Sequence, residues 1–197
     1  MSFTHKIVSG FLTKEECDLL LNFSLDNLKL NVAETVDIYT ESNREKPKNS
    51  LRKSDIAFYP FYNTFPFLYE KISKALGDEI NVKGFDLNYK NSEFQFTKYG
   101  VGDYFNWHKD VIGDIITQKD RYCSMVIQLN NDYEGGNLEI KIPNDNEIII
   151  VEKGVGNLIV FLSDMEHRVT NITSGNRYTL VNWIGLKENQ NFKKTLL

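Results

Sequence analysis

Histidine is scarce in this chain, three residues in 197, and cysteine scarcer still at two. Cys17 and Cys123 stand more than a hundred residues apart, so neither a closed, sulfur-rich zinc site nor the cysteine framework of a small secreted fold is written here, and reduced thiols are expected. No apolar run approaches the roughly 20 residues of a membrane-spanning helix. A charged-then-apolar N-terminal segment with a small-residue cleavage site is missing as well. The expectation is a soluble, cytoplasmic protein with no membrane partner. Formal net charge is −4 with no long basic block, which argues against nucleic acid as a partner held through its phosphates.

Aromatic residues are plentiful, at 13 Phe, 10 Tyr and 2 Trp, which favours β-structure and aromatic-lined pockets over a helical bundle. The length suits one domain with a full core. After a short strand pattern at Lys6-Ile7-Val8, Thr13-Lys14-Glu15-Glu16 has the form of a capping box and opens a helix carrying Leu19, Leu20, Phe23 and Leu28. Residues 32–39 read as a strand, and the polar stretch 40–49 as a loop, either a substrate lid or a plain connector. Extended structure resumes over 52–59. A second apolar stripe over 63–76, with Phe67, Leu68, Ile72 and Leu76, ends at Gly77, a natural helix stop. Short strands follow at 94–99, 104–107, 122–130, 138–142, 147–151, 157–162, 167–170 and 178–184, separated by turn residues such as Gly135-Gly136 and Ser174-Gly175-Asn176. This order predicts an α+β, mainly β fold: a double-stranded β-helix, or jelly roll, over about 86–187, braced by helical support over about 1–85.

Two of the three histidines fall into a pattern. His108-Lys109-Asp110 is followed 57 residues after Asp110 by His167, and His-x-Asp with a distant His is the ligand set of a non-haem Fe(II) oxygenase. On an extended strand His108 and Asp110 would point to one face, a neighbouring strand would bring His167 alongside, and three octahedral positions would stay open. His5 fits no such site. Arg177 opens a β-branched and aromatic run in which Thr179, Val181 and Trp183 share its face. A guanidinium among such neighbours sits at the sheet rim or pairs with a buried anion, and a dicarboxylate cosubstrate is a natural partner for it.

These residues, with Ile7-Val8-Ser9-Gly10-Phe11-Leu12, Arg52-Lys53-Ser54, Tyr99-Gly100-Val101-Gly102, Leu129-Asn130, Glu134-Gly135-Gly136, His167-Arg168-Val169 and Arg177-Tyr178, make nearly the whole chain resemble the prolyl 4-hydroxylase-like branch of the iron(II)/2-oxoglutarate-dependent dioxygenases. The resemblance implies that His108, Asp110 and His167 ligate Fe(II), that Arg177 holds the distal carboxylate of 2-oxoglutarate, and that Tyr99 and Gln128 contact the same cosubstrate. Leu138 and Trp183 would be apolar walls. Arg52 and Ser54 match the family's Arg-x-Ser segment near the substrate groove. Phe105 departs from the Tyr that collagen-type and plant-type relatives often place against the peptide, and Arg177 stands where many prolyl 4-hydroxylases have Lys.

The activity so implied is hydroxylation of an unactivated carbon with consumption of O2 and 2-oxoglutarate and release of succinate and CO2, with ascorbate as reductant. Asp110 separates the chain from iron halogenases, which leave that position vacant for chloride. Trp183 stands in the region where base-repairing relatives carry a second arginine. A peptide or protein substrate, with proline foremost, is expected. The alternatives are a free amino acid or other small metabolite and, in a different class, a non-catalytic jelly-roll module that binds a metal or a carboxylate.

Overall fold

A computed structural model describes residues 3–33, 51–79, 85–86, 93–111, 121–143 and 147–186. Strand β1, His5–Val8, leads to helix α1, Lys14–Asn27. The capping box forms: Thr13 Oγ1 accepts from the Glu16 N–H, and Glu16 accepts from the Thr13 N–H at 2.8 Å while pairing with Lys71 at 2.6 Å. The buried line of α1 is Cys17, Leu20 and Ser24. Leu19, expected on the apolar stripe, lies beside that line and is 51% exposed.

Strand β2 is Asn31–Val32, β3 Arg52–Lys53 and β4 Asp55–Tyr59. Residues 34–50, which hold most of the expected 32–39 strand and the whole 40–49 loop, fall outside the described residues. The helix expected over 63–76 is instead two, α2 at Phe61–Thr64 and α3 at Pro66–Lys74. Proline explains the break, because Pro66 at the first turn of α3 pushes the preceding residue out of the helical region, and Phe65 sits at φ −127°, ψ 74°. Nor does Gly77 stop the chain's helical course. It lies inside a π-helical turn, Ala75–Glu79, and is not among the positive-φ glycines.

The remaining strands are β5 Phe85–Asp86, β6 Phe94–Tyr99, β7 Tyr104–His108, β8 Cys123–Gln128, β9 Glu134–Gly135, β10 Leu138–Lys141, β11 Ile148–Ile150, β12 Leu158–Leu162, β13 His167–Val169, β14 Ile172–Ser174 and β15 Arg177–Leu186. They build a major antiparallel sheet in the order β1-β12-β8-β15-β6-β4-β2, with β5 also paired to β15. The minor sheet runs β11-β10-β13-β7-β3, and β9 pairs with β14. The chain passes from minor to major sheet at Ser54, between β3, paired to β7, and β4, paired to β6. The N-terminal half therefore does more than brace a jelly roll: β1, β2 and β4 extend its larger sheet.

All six residues of β8 are buried, as expected of a strand covered on both faces. One face, with Met125 and Ile127, joins Phe94, Phe96, Leu158, Val160, Leu180 and Ile184 beneath Leu20, Leu68 and Ile72 of the helices. The other, with Val126, packs with Ile159 and Phe161 against Leu138 and Ile140 of the minor sheet. A third cluster of Tyr99, Tyr133, Val169 and Ile172, with Phe105 packed on it, also lies between the sheets. No helix among the described residues is long and apolar enough to cross a membrane.

Candidate active site

Strand parity decides which side chains enter the space between the sheets. On β15 the residues Leu180 and Ile184 go to the helices, so Arg177, Thr179, Val181 and Trp183 go inward. On β8 the inward set is Ser124, Val126 and Gln128. Facing them across the gap, His167 of β13 lies directly opposite His108 of β7, with ring centroids 4.1 Å apart. The neighbouring-strand expectation for His167 is thus met by the register itself.

Between these strands the register slips: Val169 pairs with Phe105, so three steps on β7 match two on β13. This β-bulge brings Phe105 and His108, three residues apart, onto one side, where their rings stack with centroids 3.4 Å apart. Trp107 turns to the other face, beside Lys141 and Arg168 at 4.4 and 4.7 Å from its ring centre.

Asp110 requires a correction. It does not share a strand with His108, because β7 ends at His108 and Asp110 lies in a bend whose N–H donates to the Ser163 carbonyl at 3.0 Å. A contact with the segment after β12, rather than strand alternation, delivers the carboxylate. The result is nonetheless a cluster: one donor atom each from His108, Asp110 and His167 all lie within 4.8 Å of one another. Asp110 Oδ1 is 3.6 Å from His108 Nε2 and 3.8 Å from His167 Nε2.

The imidazoles are oriented for ligation. Nδ1 of His108 bonds the Asn106 carbonyl at 2.8 Å, and Nδ1 of His167 the Met165 carbonyl at 3.0 Å. A carbonyl only accepts, so each Nδ1 carries a proton, and each Nε2 is the ring nitrogen left to face Asp110 Oδ1. Burial pushes His167 down to about 4, against the opposing pull of nearby Asp110. For Asp110, burial acts to raise the pKa, but His167, His108 and the Ser124 hydroxyl together hold it well below the usual carboxylate range. At neutral pH the pair is an ionised Asp110 facing a neutral His167. Two imidazole Nε2 atoms and one carboxylate, with no fourth protein ligand in the cluster among the described residues, are the donor set that suits Fe(II) with positions left open.

The family model for the 2OG-Fe(II) oxygenase superfamily matches residues 94–185, the stretch that carries all three of these donors. The matched stretch, a little under half of the chain, is similar to that superfamily. Among curated relatives, a PKHD-type hydroxylase of Synechococcus sp. (strain CC9311) is 31% identical over 119 residues, 59% of this chain and 52% of the relative. Another, from Hyphomonas neptunium, is 34% identical over 89 residues, 43% and 39% of the two chains. The matches thus span about half the length of those relatives or less. Solved structures share the fold: a Pseudomonas putida prolyl-4-hydroxylase with a TM-score of 0.68 at 19% identity, covering 94% of each chain, and a Trichoplax adhaerens prolyl hydroxylase in complex with a peptide fragment of the hypoxia inducible factor oxygen degradation domain, with a TM-score of 0.66 at 17% identity, covering 92% of this chain and 83% of that one.

A 2OG-Fe(II) oxygenase needs a seat for a dicarboxylate, and the inner face of β15 provides the chemistry for one. Arg177 is 2% exposed. No carboxylate lies within ion-pair distance of it among the described residues, and its Nε is buried without a partner, as is the Thr179 hydroxyl two residues along the same face. Unpaired charge and unpaired hydroxyl are costly in a protein interior, so their coincidence suits an anion that both can bind. Tyr99 is the register partner of Arg177, and the guanidinium carbon lies 5.4 Å from its ring centre. Asn130 holds the start of β15, accepting from the Tyr178 N–H and donating to the Asn176 carbonyl. Gly136, at φ +61°, packs so closely that a Cβ there would lie 2.2 Å from Ile172 Cδ1 and 3.3 Å from Arg177 Cδ.

The other expected site residues divide. Gln128 faces inward opposite Thr179, but its side-chain oxygen accepts from the Gly154 N–H at 3.0 Å, which ties it to the loop before β12. Leu138 packs in the inter-sheet core. Trp183 is not simply an apolar wall, since its indole N–H donates to Asp110 Oδ2 at 2.9 Å. Arg52 Nε donates to Ser54 Oγ at 2.7 Å, and its guanidinium lies 4.7 Å from the Phe105 ring centre, so Arg52 and Ser54 lie beside Phe105, which itself stacks on His108. Sequence reasoning missed Ser124, Ser163 and Thr179 as site residues. Strand parity does set Thr179 on the face of Arg177 and Ser124 on the face of Gln128, but it assigns neither a role. Cys17 and Cys123 are free, buried thiols, with Cys17 pushed up to about 12 by burial.

Proposed function

We propose that this chain is an Fe(II)- and 2-oxoglutarate-dependent hydroxylase whose substrate is a peptidyl side chain, proline foremost. The observation that carries the reading is the presence, between the same two sheets, of the His108, Asp110 and His167 donors and of a buried Arg177 that lacks a carboxylate partner among the described residues. When bound, Fe(II) with 2-oxoglutarate and O2 supplies oxidising power that hydroxylates an unactivated C–H bond and yields succinate and CO2.

The chain's own residues do the rest. His108 and His167 present their Nε2 atoms, and Asp110 presents one carboxylate oxygen. Arg177 and Thr179 grip the distal carboxylate of the cosubstrate and so set its reach toward the metal ligands. Phe161, 4.7 Å from the His167 ring centre, and Phe105, stacked on His108, exclude water from the ligand side. Arg52, Ser54 and Phe105 flank the approach to His108 and are the proposed substrate contacts, with Trp183. The relatives named above as prolyl hydroxylases, one in complex with a peptide, support the peptide reading.

One observation favours a free amino acid as the second reading. Arg52 is buried to 8% exposure, and no carboxylate pairs with it among the described residues; a free α-carboxylate would satisfy it, where a peptide bond would offer only a carbonyl. The test is succinate formation with Fe(II), 2-oxoglutarate, O2 and ascorbate, with proline-containing peptides or free amino acids, and Asp110→Ala as control. Peptide-dependent succinate with a mass gain of one oxygen supports the first reading, and amino-acid-dependent turnover the second. Absence of succinate from correctly metallated wild-type protein overturns both.

A further inference from the structure

The two oxygens of Asp110 are treated differently by the fold. Oδ1 faces both imidazole Nε2 atoms, whereas Oδ2 accepts two hydrogen bonds, from Ser124 Oγ at 2.5 Å and from the Trp183 indole N–H at 2.9 Å. Ser124 Oγ also lies 2.8 Å from Ser163 Oγ. An ionised carboxylate only accepts, so the Ser124 proton points to Asp110, and the Ser163 hydroxyl must donate to Ser124. Ser163 in turn receives the Asp110 N–H on its own carbonyl. Ser124 and Trp183 are direct register partners on β8 and β15, so two adjacent central strands of the major sheet present both donors from one level. The Arg121 guanidinium covers the Trp183 ring at 4.2 Å from its centre.

Resting on the metal-centre reading above, we propose that Ser124 and Trp183 are positioning residues that commit Asp110 to ligation through Oδ1 alone, with Ser163 orienting Ser124. Three single-atom donors leave three positions of an octahedral ion for cosubstrate and oxygen. A carboxylate free to swing and ligate through both oxygens would occupy one of those positions. Two donors on Oδ2, one of them on a rigid indole, fix the rotation of the carboxylate and hold that oxygen away from the metal. Outer partners of this kind set ligand orientation and metal affinity in metal sites generally.

The experiment titrates the purified full chain with Co(II) and follows its d–d absorption, comparing wild type with Ser124→Ala, Ser124→Thr and Trp183→Phe, with the melting temperature of each metal-free protein recorded alongside. Trp183→Phe keeps an aromatic ring and loses the N–H; Ser124→Thr keeps the hydroxyl. The expected result is Co(II) affinity lower by about 10- to 100-fold in Ser124→Ala and in Trp183→Phe, with an altered d–d band, and recovery of both in Ser124→Thr. Variants that bind Co(II) with wild-type affinity and spectrum overturn the positioning roles while leaving the metal centre standing. Folded wild-type protein that binds no Co(II) overturns the metal centre and this inference together. A fall in melting temperature without change in affinity or band assigns the residues to packing only, which also overturns the proposal; should Ser124→Ala fail to fold, Trp183→Phe decides.

Discussion

β15 has two faces with different obligations. Leu180 and Ile184 look toward the helices and lie in a dry cluster with Leu20, Leu68 and Phe96. At the alternate positions, Arg177, Thr179 and Trp183 look toward the minor sheet, where Arg177 Nε and the Thr179 hydroxyl are buried without partners and Trp183 holds Asp110. The first face is satisfied as it stands and contributes stability. The second carries buried polar groups without partners, which cost stability and which the proposed cosubstrate would satisfy. Substitutions on the two faces should therefore separate folding from binding.

The largest effect is expected from Arg177→Met. It removes the guanidinium, and 2-oxoglutarate binding by the Co(II)-loaded protein should weaken by about 100-fold or more in calorimetry, the scale of losing one partner of a buried charge pair. The metal-free protein should melt no lower than wild type, because a buried charge without a partner is removed; a large fall in melting temperature with cosubstrate affinity intact would mean that Arg177 is structural. On the opposite face, Leu180→Ala should lower unfolding free energy by about 2–5 kcal/mol in denaturant titration and leave the Co(II) affinity of the folded fraction unchanged. If metal binding falls in step with stability, the faces are not separable.

Gly136→Ala sharpens the comparison from the side of the neighbouring loop. A Cβ at positive φ, pressed on Ile172 and Arg177, should cost about 1–3 kcal/mol and weaken cosubstrate binding at the same time, read by melting and by calorimetry. Thr179→Val, the mildest change, removes a hydroxyl that has no partner. Stability should stay within about 1 kcal/mol of wild type, while 2-oxoglutarate affinity drops by about 5-fold, as for one lost hydrogen bond.

Much of this was legible in the sequence because it depends on alternation and on side-chain type. The capping box at Thr13 is a local four-residue pattern, β6 shows alternation at Phe94 and Phe96 and β12 a continuous apolar run, and the placing of His167 beside His108 follows from the ligand pattern of the two histidines and Asp110. What escaped depended on long-range contacts. Asp110 is placed by the Ser163 carbonyl, a partner 53 residues away in the chain, and not by its spacing from His108. The break at Phe65 required weighing Pro66 above an apolar stripe. β9 and β14 are too short, at two and three residues, to leave a period. The hydrogen bond that turns Trp183 from wall to donor has no signature in sequence, because indole size and apolarity dominate any reading of the residue.

The minor sheet adds a lesson about how such a protein can change over time. Arg52 belongs to β3, whose only neighbour among the described residues is β7, whereas Arg177 and Thr179 lie on a strand flanked by β8 and β6. An edge residue can be exchanged with one set of contacts disturbed; a central one disturbs two. Substitution is therefore least disruptive along β3 and most disruptive at the centre of the major sheet, so descendants of this chain should diversify at the rim long before they change the centre.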